Sequence, residues 1–290
     1  MKTLPFDYAY ADYPLAPATL YNVGGPARVA LVPRTAEECR EAYDWMRTQP
    51  GRKLVLGGGS NVLIDDAGFD GIVLFTTRLT RIDPLGSDRY YVEAGALLDD
   101  LVVGVMVANN YAGVGALTGI PGSVGGAIYM NAGTVNGAIG AFMAAVELLT
   151  PAGPKTVPMA PERYRYRGQD FCRPGDVILA GTFAFARAQD DQQATYDHYK
   201  QRRLEKQPQG SCCGSVFKNP EGEHAGRLIE ACGLKGAREG GAVISPMHAN
   251  FIMNEDGASF SDIVALIERA KDAVRTQHGI DLEEEVRIIR

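Results

Sequence analysis

The sequence is short of the features that mark several large protein classes. No apolar run approaches the ~20 residues that a membrane-spanning helix needs, and Met1 to Pro14 carries Tyr and Asp but no apolar stretch suited to a secretory leader. A cytoplasmic protein with no membrane partner is expected. Basic charge is in deficit. The 29 Lys and Arg against 35 Asp and Glu give a net charge of −6 and a pI of about 5.3, which argues against broad electrostatic binding to nucleic acid. Cysteine is scarce, and Cys39, Cys172, Cys212, Cys213 and Cys232 are odd in number and unevenly spaced. That pattern suits a reducing compartment rather than a disulfide framework. His198, His224, His248 and His278 lie far apart, so no metal-ligand spacing is present and no metal is expected. Repeats and low-complexity tracts are absent.

Glycine is in excess. It accounts for 34 of 290 residues, against a usual ~7%, and it is clustered at Gly57-Gly58-Gly59, from Gly113 to Gly140 and from Gly233 to Gly241. Clustered glycine in a folded chain marks backbone that bends tightly or approaches a ligand closely. With 46% apolar and 22% charged residues, the composition is otherwise that of a globular protein, long enough for two or three modest domains.

The pattern along the chain predicts short strands mixed with helices. Arg28 to Val32 reads as a strand, and Thr35 as the N-cap of a helix over Ala36 to Arg47 with Glu37 and Glu38 in its first turn. Lys53–Leu56 and Gly71–Phe75 complete a β-α-β-type unit. Arg89–Glu93 reads as a strand, and Leu97–Asn109 has helical spacing. Gly113 to Gly140 has little periodicity. Strands are predicted over Val146–Leu149 and Asp176–Phe185, and a turn over Pro151–Pro154. A polar helix leads on to Lys206, and a domain boundary falls near residue 187. Beyond it, Ala225–Cys232 reads as helix and Ala242–Ser245 and Asn250–Asn254 as strands. Ser259–His278 reads as a helix ended by Gly279, and Glu285–Ile289 as a last strand. Without sustained βαβα alternation, the class is α+β.

Two glycine loops carry the chemistry. In Lys53-Leu-Val-Leu-Gly-Gly-Gly-Ser-Asn61 a strand runs into Gly57, Gly58 and Gly59, whose backbone N–H groups could form an anion nest, with Ser60 and Asn61 as side-chain donors. A tight turn is an equally good reading of that run alone. It matches neither the dinucleotide fingerprint nor the P-loop. The second loop is Leu117-Thr-Gly-Ile-Pro-Gly-Ser-Val-Gly-Gly-Ala127. Pro121 stiffens it, and its glycines let backbone approach a flat or anionic ligand. A packed glycine-rich crossover is the alternative. Two such loops favour a dinucleotide with two phosphates.

The pairing of these loops resembles the UDP-N-acetylenolpyruvoylglucosamine reductase family, flavoenzymes of peptidoglycan precursor synthesis. Val23-Gly-Gly-Pro-Ala27, Gly214-Ser-Val-Phe-Lys-Asn-Pro220, Ala225-Gly-Arg-Leu-Ile-Glu230, His248-Ala-Asn250 and Leu282-Glu-Glu-Glu-Val-Arg-Ile-Ile289 resemble its other motifs, in order, from about Thr19 to Arg290. The resemblance implies a three-domain flavoprotein. A vanillyl-alcohol-oxidase-like FAD unit would occupy 1–78 and 79–187, with a substrate-binding α+β domain over 188–290. It implies non-covalent FAD, NADPH as hydride donor, and UDP-N-acetylglucosamine enolpyruvate as substrate, reduced to UDP-N-acetylmuramate. No obligate protein partner is inferred.

Carried over by motif position, Ser215 would donate a proton to the substrate α-carbon and Glu285 would polarise the substrate carboxylate as a neutral acid. Arg167 would be the catalytic arginine. The family's Tyr-Arg-x-Ser-x-Phe appears here as Tyr166-Arg167-x-Gln169-x-Phe171 with glutamine for serine; shifted by two, Arg165 takes the place but the Phe is lost. FAD contacts would come from Gly57, Gly58, Gly59, Ser60 and Asn61, from Gly119, Ile120, Pro121, Gly122, Ser123, Gly125, Gly126 and Ala127, and from Arg203 and Arg287. Substrate contacts would come from Lys206, Asn219, His248 and Asn250. The sequence departs from the family at Asn22, where a basic residue is frequent. It departs again at Asn131-Ala-Gly-Thr-Val-Asn-Gly-Ala138, which lacks the usual Tyr and Glu. It resembles the shorter subgroup without an inserted tyrosine-bearing loop. Cys212 and Cys213 read as two reduced thiols.

Two other readings stand beside this one. An FAD-dependent oxidase of the same superfamily would share both glycine loops but would not need Ser215, Lys206 and Asn219 together. Covalent flavin attachment, frequent there, uses His or Cys, and none lies between Cys39 and Cys172. A non-enzymatic nucleotide-binding module would be colourless.

Overall fold

The structure, a computed structural model, describes residues 4–290. Their strands in chain order are β1 (Ala9–Pro14), β2 (Pro26–Leu31), β3 (Arg52–Leu56), β4 (Val62–Ile64), β5 (Phe69–Phe75), β6 (Ile82–Gly86), β7 (Arg89–Glu93), β8 (Gly133–Thr134) and β9 (Gly137–Ala138). There follow β10 (Met143–Thr150), β11 (Gly153–Pro158), β12 (Tyr164–Arg165), β13 (Gly168–Gln169), β14 (Val177–Ala184), β15 (Arg238–Glu239), β16 (Ala242–Ile244), β17 (Ile252–Asn254) and β18 (Arg287–Ile289). The α-helices are α1 (Ala36–Thr48), α2 (Leu98–Leu101), α3 (Val124–Met130), α4 (Gln192–Lys206), α5 (Ala225–Ala231) and α6 (Phe260–His278).

The chain folds into two compact units that exchange segments along the sequence. Unit 1 takes residues up to Ala11, Val29–Gly58 and Gly71–Arg202; unit 2 takes Asp12–Arg28, Gly59–Asp70 and Arg203–Arg290.

In unit 1, α1 forms as its caps dictate. Thr35 Oγ accepts from the Glu38 N–H, acids occupy the first turn, and Cys39, Ala42, Tyr43 and Met46 bury one face at helical spacing. That face joins Tyr8, Leu31, Ile72, Leu74, Leu149 and Val177 in one core. Strands β3 and β5 pair in parallel within a sheet of order β1-β2-β5-β3. A second sheet, β11-β10-β14-β7-β6, is antiparallel. It shares another core with α2, α3 and the segment Tyr111–Leu117.

The helix expected over Leu97–Asn109 is α only at Leu98–Leu101. From Val102 to Val107 it widens into π turns, with the Ala108 N–H reaching the Val103 carbonyl at 3.3 Å. Four valines and Gly104 in six residues give this stretch poor α-propensity. The segment read as aperiodic contains α3, and the turn read over Pro151–Pro154 is present at residues 151–152, with an edge strand, β11, beginning at Gly153. An edge is where the prolines at 154 and 158 are tolerated.

Unit 2 is organised around α6. Ser259 and Asp262 form a reciprocal capping box, and Gly279, at φ +67°, closes the helix. Phe260, Ile263, Leu266, Ile267, Ala270 and Val274 are buried; their desolvation contributes on the order of 10 kcal/mol. They pack with α5, the β15-β16-β17 sheet and Tyr21, Val23 and Leu63. Strand β18 begins at Arg287, two residues later than expected, and pairs in parallel with β4, so the C-terminus is stitched to residues 62–64. The elements are α+β as expected. Among the described residues, no helix is long and apolar enough to cross a membrane, and no cluster of three or more His, Cys, Asp or Glu could hold a metal.

Candidate active site

In unit 1 the two glycine loops meet. The Gly58 N–H donates to Ser123 Oγ at 3.1 Å. A Cβ on Gly57 would lie 2.5 Å from that hydroxyl, and one on Gly58 would lie 3.0–3.1 Å from Ser123 N and Gly122 Cα. Glycine at 57 and 58 is therefore what lets the loops touch. Gly122, at φ +111°, accepts from the Leu98 N–H, and the Val124 and Gly125 N–H groups donate to Ala96 and Ala94. Gly125 abuts Ala94 so closely that a Cβ would sit 2.7 Å from the alanine methyl.

Gly126 is different. It is exposed and helical, and a Cβ there would meet only Ser123 Oγ, at 3.6 Å. Packing explains Gly57, Gly58 and Gly125, but not Gly126. A helical glycine with room for a methyl costs stability, and a face kept free for a flat ligand accounts for it. Gly119, Ile120 and Pro121 lie at least partly exposed on the same loop, whereas Ser123 and Ala127 are buried. The residues present thus fit a bound flavin: Gly126 would supply the open face, and Ser123 latches one loop on the other.

Arg167 also belongs to unit 1. It sits at the tip of the hairpin β12–β13, where Tyr164 pairs with Gln169 and Arg165 with Gly168. Its φ is +53°, a left-handed conformation uncommon in non-glycine residues and frequent at functional sites. Its Nη1 donates to the Gly133 carbonyl at 3.2 Å, and the guanidinium lies 5.0 Å from the Tyr166 ring centroid. Gln169 does structural work of its own: its Oε1 accepts from the Phe171 and Cys172 N–H groups and its Nε2 donates to the Cys172 carbonyl.

Unit 2 brings Ser215 and Glu285 onto one backbone frame. Ser215 follows Gly214, which turns the chain at φ +79°. The next residue, Val216, accepts at its carbonyl from the N–H groups of Glu285 (2.7 Å) and Val286 (3.2 Å). Lys218 N donates to the Glu283 carbonyl at 2.9 Å, and the Lys218 and Glu283 side chains form an ion pair. Asn61 closes the frame. Its Nδ2 donates to the Glu285 carbonyl at 2.9 Å, and its own carbonyl accepts from Arg287 N at 3.0 Å. Within the triple-acid run, Glu284 pairs with Lys271 and Glu283 with Lys218, and the backbone of Glu285 is held on both sides.

The remaining expected residues of unit 2 are spread along it. Arg203 and the exposed Lys206 lie in the last turns of α4, with Arg203 donating to Gln207. Asn219 Oδ1 accepts from Ala225 N at 3.1 Å and so caps α5, whose N-cap His224 makes no side-chain cap of its own. His248 Nδ1 accepts from Asn250 N at 3.2 Å; burial pulls its pKa below the usual range. Asn250 is buried, with its amide on Phe217. Cys212 and Cys213 are free and buried; burial raises both thiols, Cys213 to about 12, and Cys213 Sγ donates to Tyr21 Oη at 3.4 Å. The part played by Val216 has no signal in the sequence. An apolar side chain gives no sign that its peptide group joins two functional segments.

The fold and the loops define an FAD-binding oxidoreductase. A family model described as FAD binding domain matches residues 27–155, and one described as UDP-N-acetylenolpyruvoylglucosamine reductase, C-terminal domain, matches residues 206–289. The chain is 37% identical over 292 residues to UDP-N-acetylenolpyruvoylglucosamine reductase of Enterococcus faecalis, covering 100% of this chain and 97% of that one. It is 40% identical over 275 residues to the Chlamydia pneumoniae enzyme of the same name, covering 93% and 88%. The crystal structure of UDP-N-acetylenolpyruvylglucosamine reductase from Thermus caldophilus superposes with a TM-score of 0.81 at 32% identity, over 97% of this chain and 98% of that one. The chain belongs to the UDP-N-acetylenolpyruvoylglucosamine reductase family.

Proposed function

We propose that this protein reduces UDP-N-acetylglucosamine enolpyruvate to UDP-N-acetylmuramate, with NADPH as hydride donor and non-covalent FAD, in the cytoplasm, as a step of peptidoglycan precursor synthesis. The observation that carries the reading is the hold of the Val216 carbonyl, one residue after Ser215, on the Glu285 N–H, in a chain that belongs to this family from end to end. Free cysteines among the described residues support the cytoplasmic assignment.

Bound FAD would supply hydride transfer, accepting hydride from NADPH and delivering it to the enol-ether carbon. The Gly57–Asn61 and Gly119–Ala127 loops, with Arg203 and Arg287, would hold it. Three tasks fall to side chains. Ser215 donates its hydroxyl proton to the α-carbon; a serine is a weak acid, but the carbanion-like carbon it meets is a strong base, and such a donor contributes roughly 10²–10⁴-fold. Glu285 donates a hydrogen bond to the substrate carboxylate as negative charge builds there, and Arg167 adds a fixed cation for the same charge. Lys206 and Asn219 bind the sugar nucleotide, with Lys206 suited to its diphosphate.

Three domains, 1–78, 79–187 and 188–290, remain our division of labour. Each holds the centre of one apolar core, at α1, at the antiparallel five-stranded sheet and at α6, with Leu149 and Val177 joining the first core and Tyr21, Val23 and Leu63 the third. The function is tested by supplying FAD-loaded protein with NADPH and UDP-N-acetylglucosamine enolpyruvate. The expected product is two hydrogens heavier than the substrate by mass spectrometry, with NADPH consumed one for one. NADPH oxidation that ignores the sugar nucleotide contradicts the proposal.

A further inference from the structure

We infer that Asn250 is a positioning residue that sets Ser215 and Glu285 in register through the backbone of Val216 and Phe217. The inference rests on the roles proposed above for those two side chains, and it moves Asn250 from the substrate contacts to the frame behind them. Asn250 is 3% exposed. Its Oδ1 accepts from the Phe217 N–H at 2.9 Å and its Nδ2 donates to the Phe217 carbonyl at 2.8 Å. Its own carbonyl accepts from the Val216 N–H at 2.8 Å. Three hydrogen bonds therefore grip the two residues that follow Ser215. Val216 then passes the constraint on, because its carbonyl holds the N–H groups of Glu285 and Val286.

The residue type follows from the geometry. The carboxamide reads Phe217 as another peptide group would, giving one donor and accepting one. Aspartate keeps the acceptor but loses the donor when ionised, leucine offers neither, and glutamine is a methylene too long. His248 anchors the other side: its Nδ1 accepts the Asn250 N–H, its carbonyl accepts the Phe251 N–H at 3.0 Å, and its ring packs 4.9 Å from that of Phe251. Phe217 is 1% exposed, so water cannot replace the amide if it is removed.

The test is a double-mutant cycle on the FAD-loaded enzyme, following flavin bleaching by NADPH and flavin recolouring by the enolpyruvyl sugar nucleotide separately under anaerobic conditions. Asn250→Ala is expected to leave bleaching within about two-fold and to slow recolouring on the order of 10²-fold, the cost of misplacing a reacting group by about an ångström. In the Ser215→Ala background it should add less than about three-fold. Hydrogen exchange should show residues 215–217 and 284–286 losing protection together. Asn250→Asp supplies the same cycle if the alanine variant does not fold. Effects of Asn250 and Ser215 that multiply, unchanged recolouring in Asn250→Ala, or protection lost at 215–217 but kept at 284–286 each overturn the inference. A Ser215→Ala enzyme that recolours normally overturns the functional reading instead; Asn250 is then judged on the exchange of the two segments.

Discussion

Gly126→Ala gives the sharpest test of the flavin loop because it should move two quantities in opposite directions. The residue is helical, exposed, and has room for a methyl, the nearest atom being Ser123 Oγ at 3.6 Å. Replacing a helical glycine by alanine restores about 0.5–1 kcal/mol, so the apoprotein should melt slightly higher. If the open face receives the flavin, the same methyl intrudes on it. Overpacking of this kind costs about 1–3 kcal/mol, or a roughly 5- to 150-fold weaker FAD affinity at 1.4 kcal/mol per decade. Thermal melting of apoprotein and titration of FAD by flavin fluorescence measure the two effects separately. Gly125→Ala is the control, since its Cβ would press on the Ala94 methyl at 2.7 Å and should lower apoprotein stability. An unchanged FAD affinity in Gly126→Ala, or a fall in its apoprotein melting temperature, refutes the placement of the flavin at this loop face.

Other perturbations report on the frame around the site. Gly59→Ala would put a Cβ 1.9 Å from the Ala18 carbonyl oxygen at a residue with φ +62°. Backbone strain of about 1–2 kcal/mol and overpacking of about 1–3 kcal/mol should act together, so a melting temperature within a degree of the parent contradicts this placement. Asn61→Ala removes the Nδ2 donor to the Glu285 carbonyl and should slow the substrate half-reaction more than flavin bleaching; equal slowing of both would mean that Asn61 serves the cofactor alone. At Asp262, the N–H and hydroxyl of Ser259, and then the Gly241 N–H, hold the carboxyl below the usual carboxylate range. Its contribution is therefore present above the unfolded pKa of about 4 and lost as pH falls through the lower folded value. The melting-temperature gap between parent and Asp262→Asn should close on that acid limb, and a gap independent of pH contradicts the assignment.

What could be read from the sequence was local. The caps of α1 and α6 are written in Thr35, Ser259, Asp262 and Gly279, and each lies where side-chain chemistry alone puts it. Helix α3 was not legible because Gly125 and Gly126 argue against a helix. What holds it is tertiary, the close seat of Gly125 on Ala94 and the bonds to the segment Ala94–Leu98. The exchange of segments between units was also illegible, since the parallel pairing of β18 with β4 links residues more than two hundred positions apart. At the site, side-chain candidates could be named from motifs. Their frame could not, because it consists of peptide groups of Val216, Phe217 and Glu285 and of two asparagines that act on backbone.

Whether Ser215 is the proton donor when the flavin reduces the enolpyruvyl sugar nucleotide is decided by following the flavin absorbance of parent and Ser215→Ala enzyme through one anaerobic cycle. This mechanism requires a yellow protein that NADPH bleaches in both forms and that UDP-N-acetylglucosamine enolpyruvate recolours quickly in the parent. In the variant, recolouring should be slower by roughly 10²–10⁴-fold. Bleached parent enzyme that only oxygen recolours, or a variant slowed equally in both halves of the cycle, would contradict it.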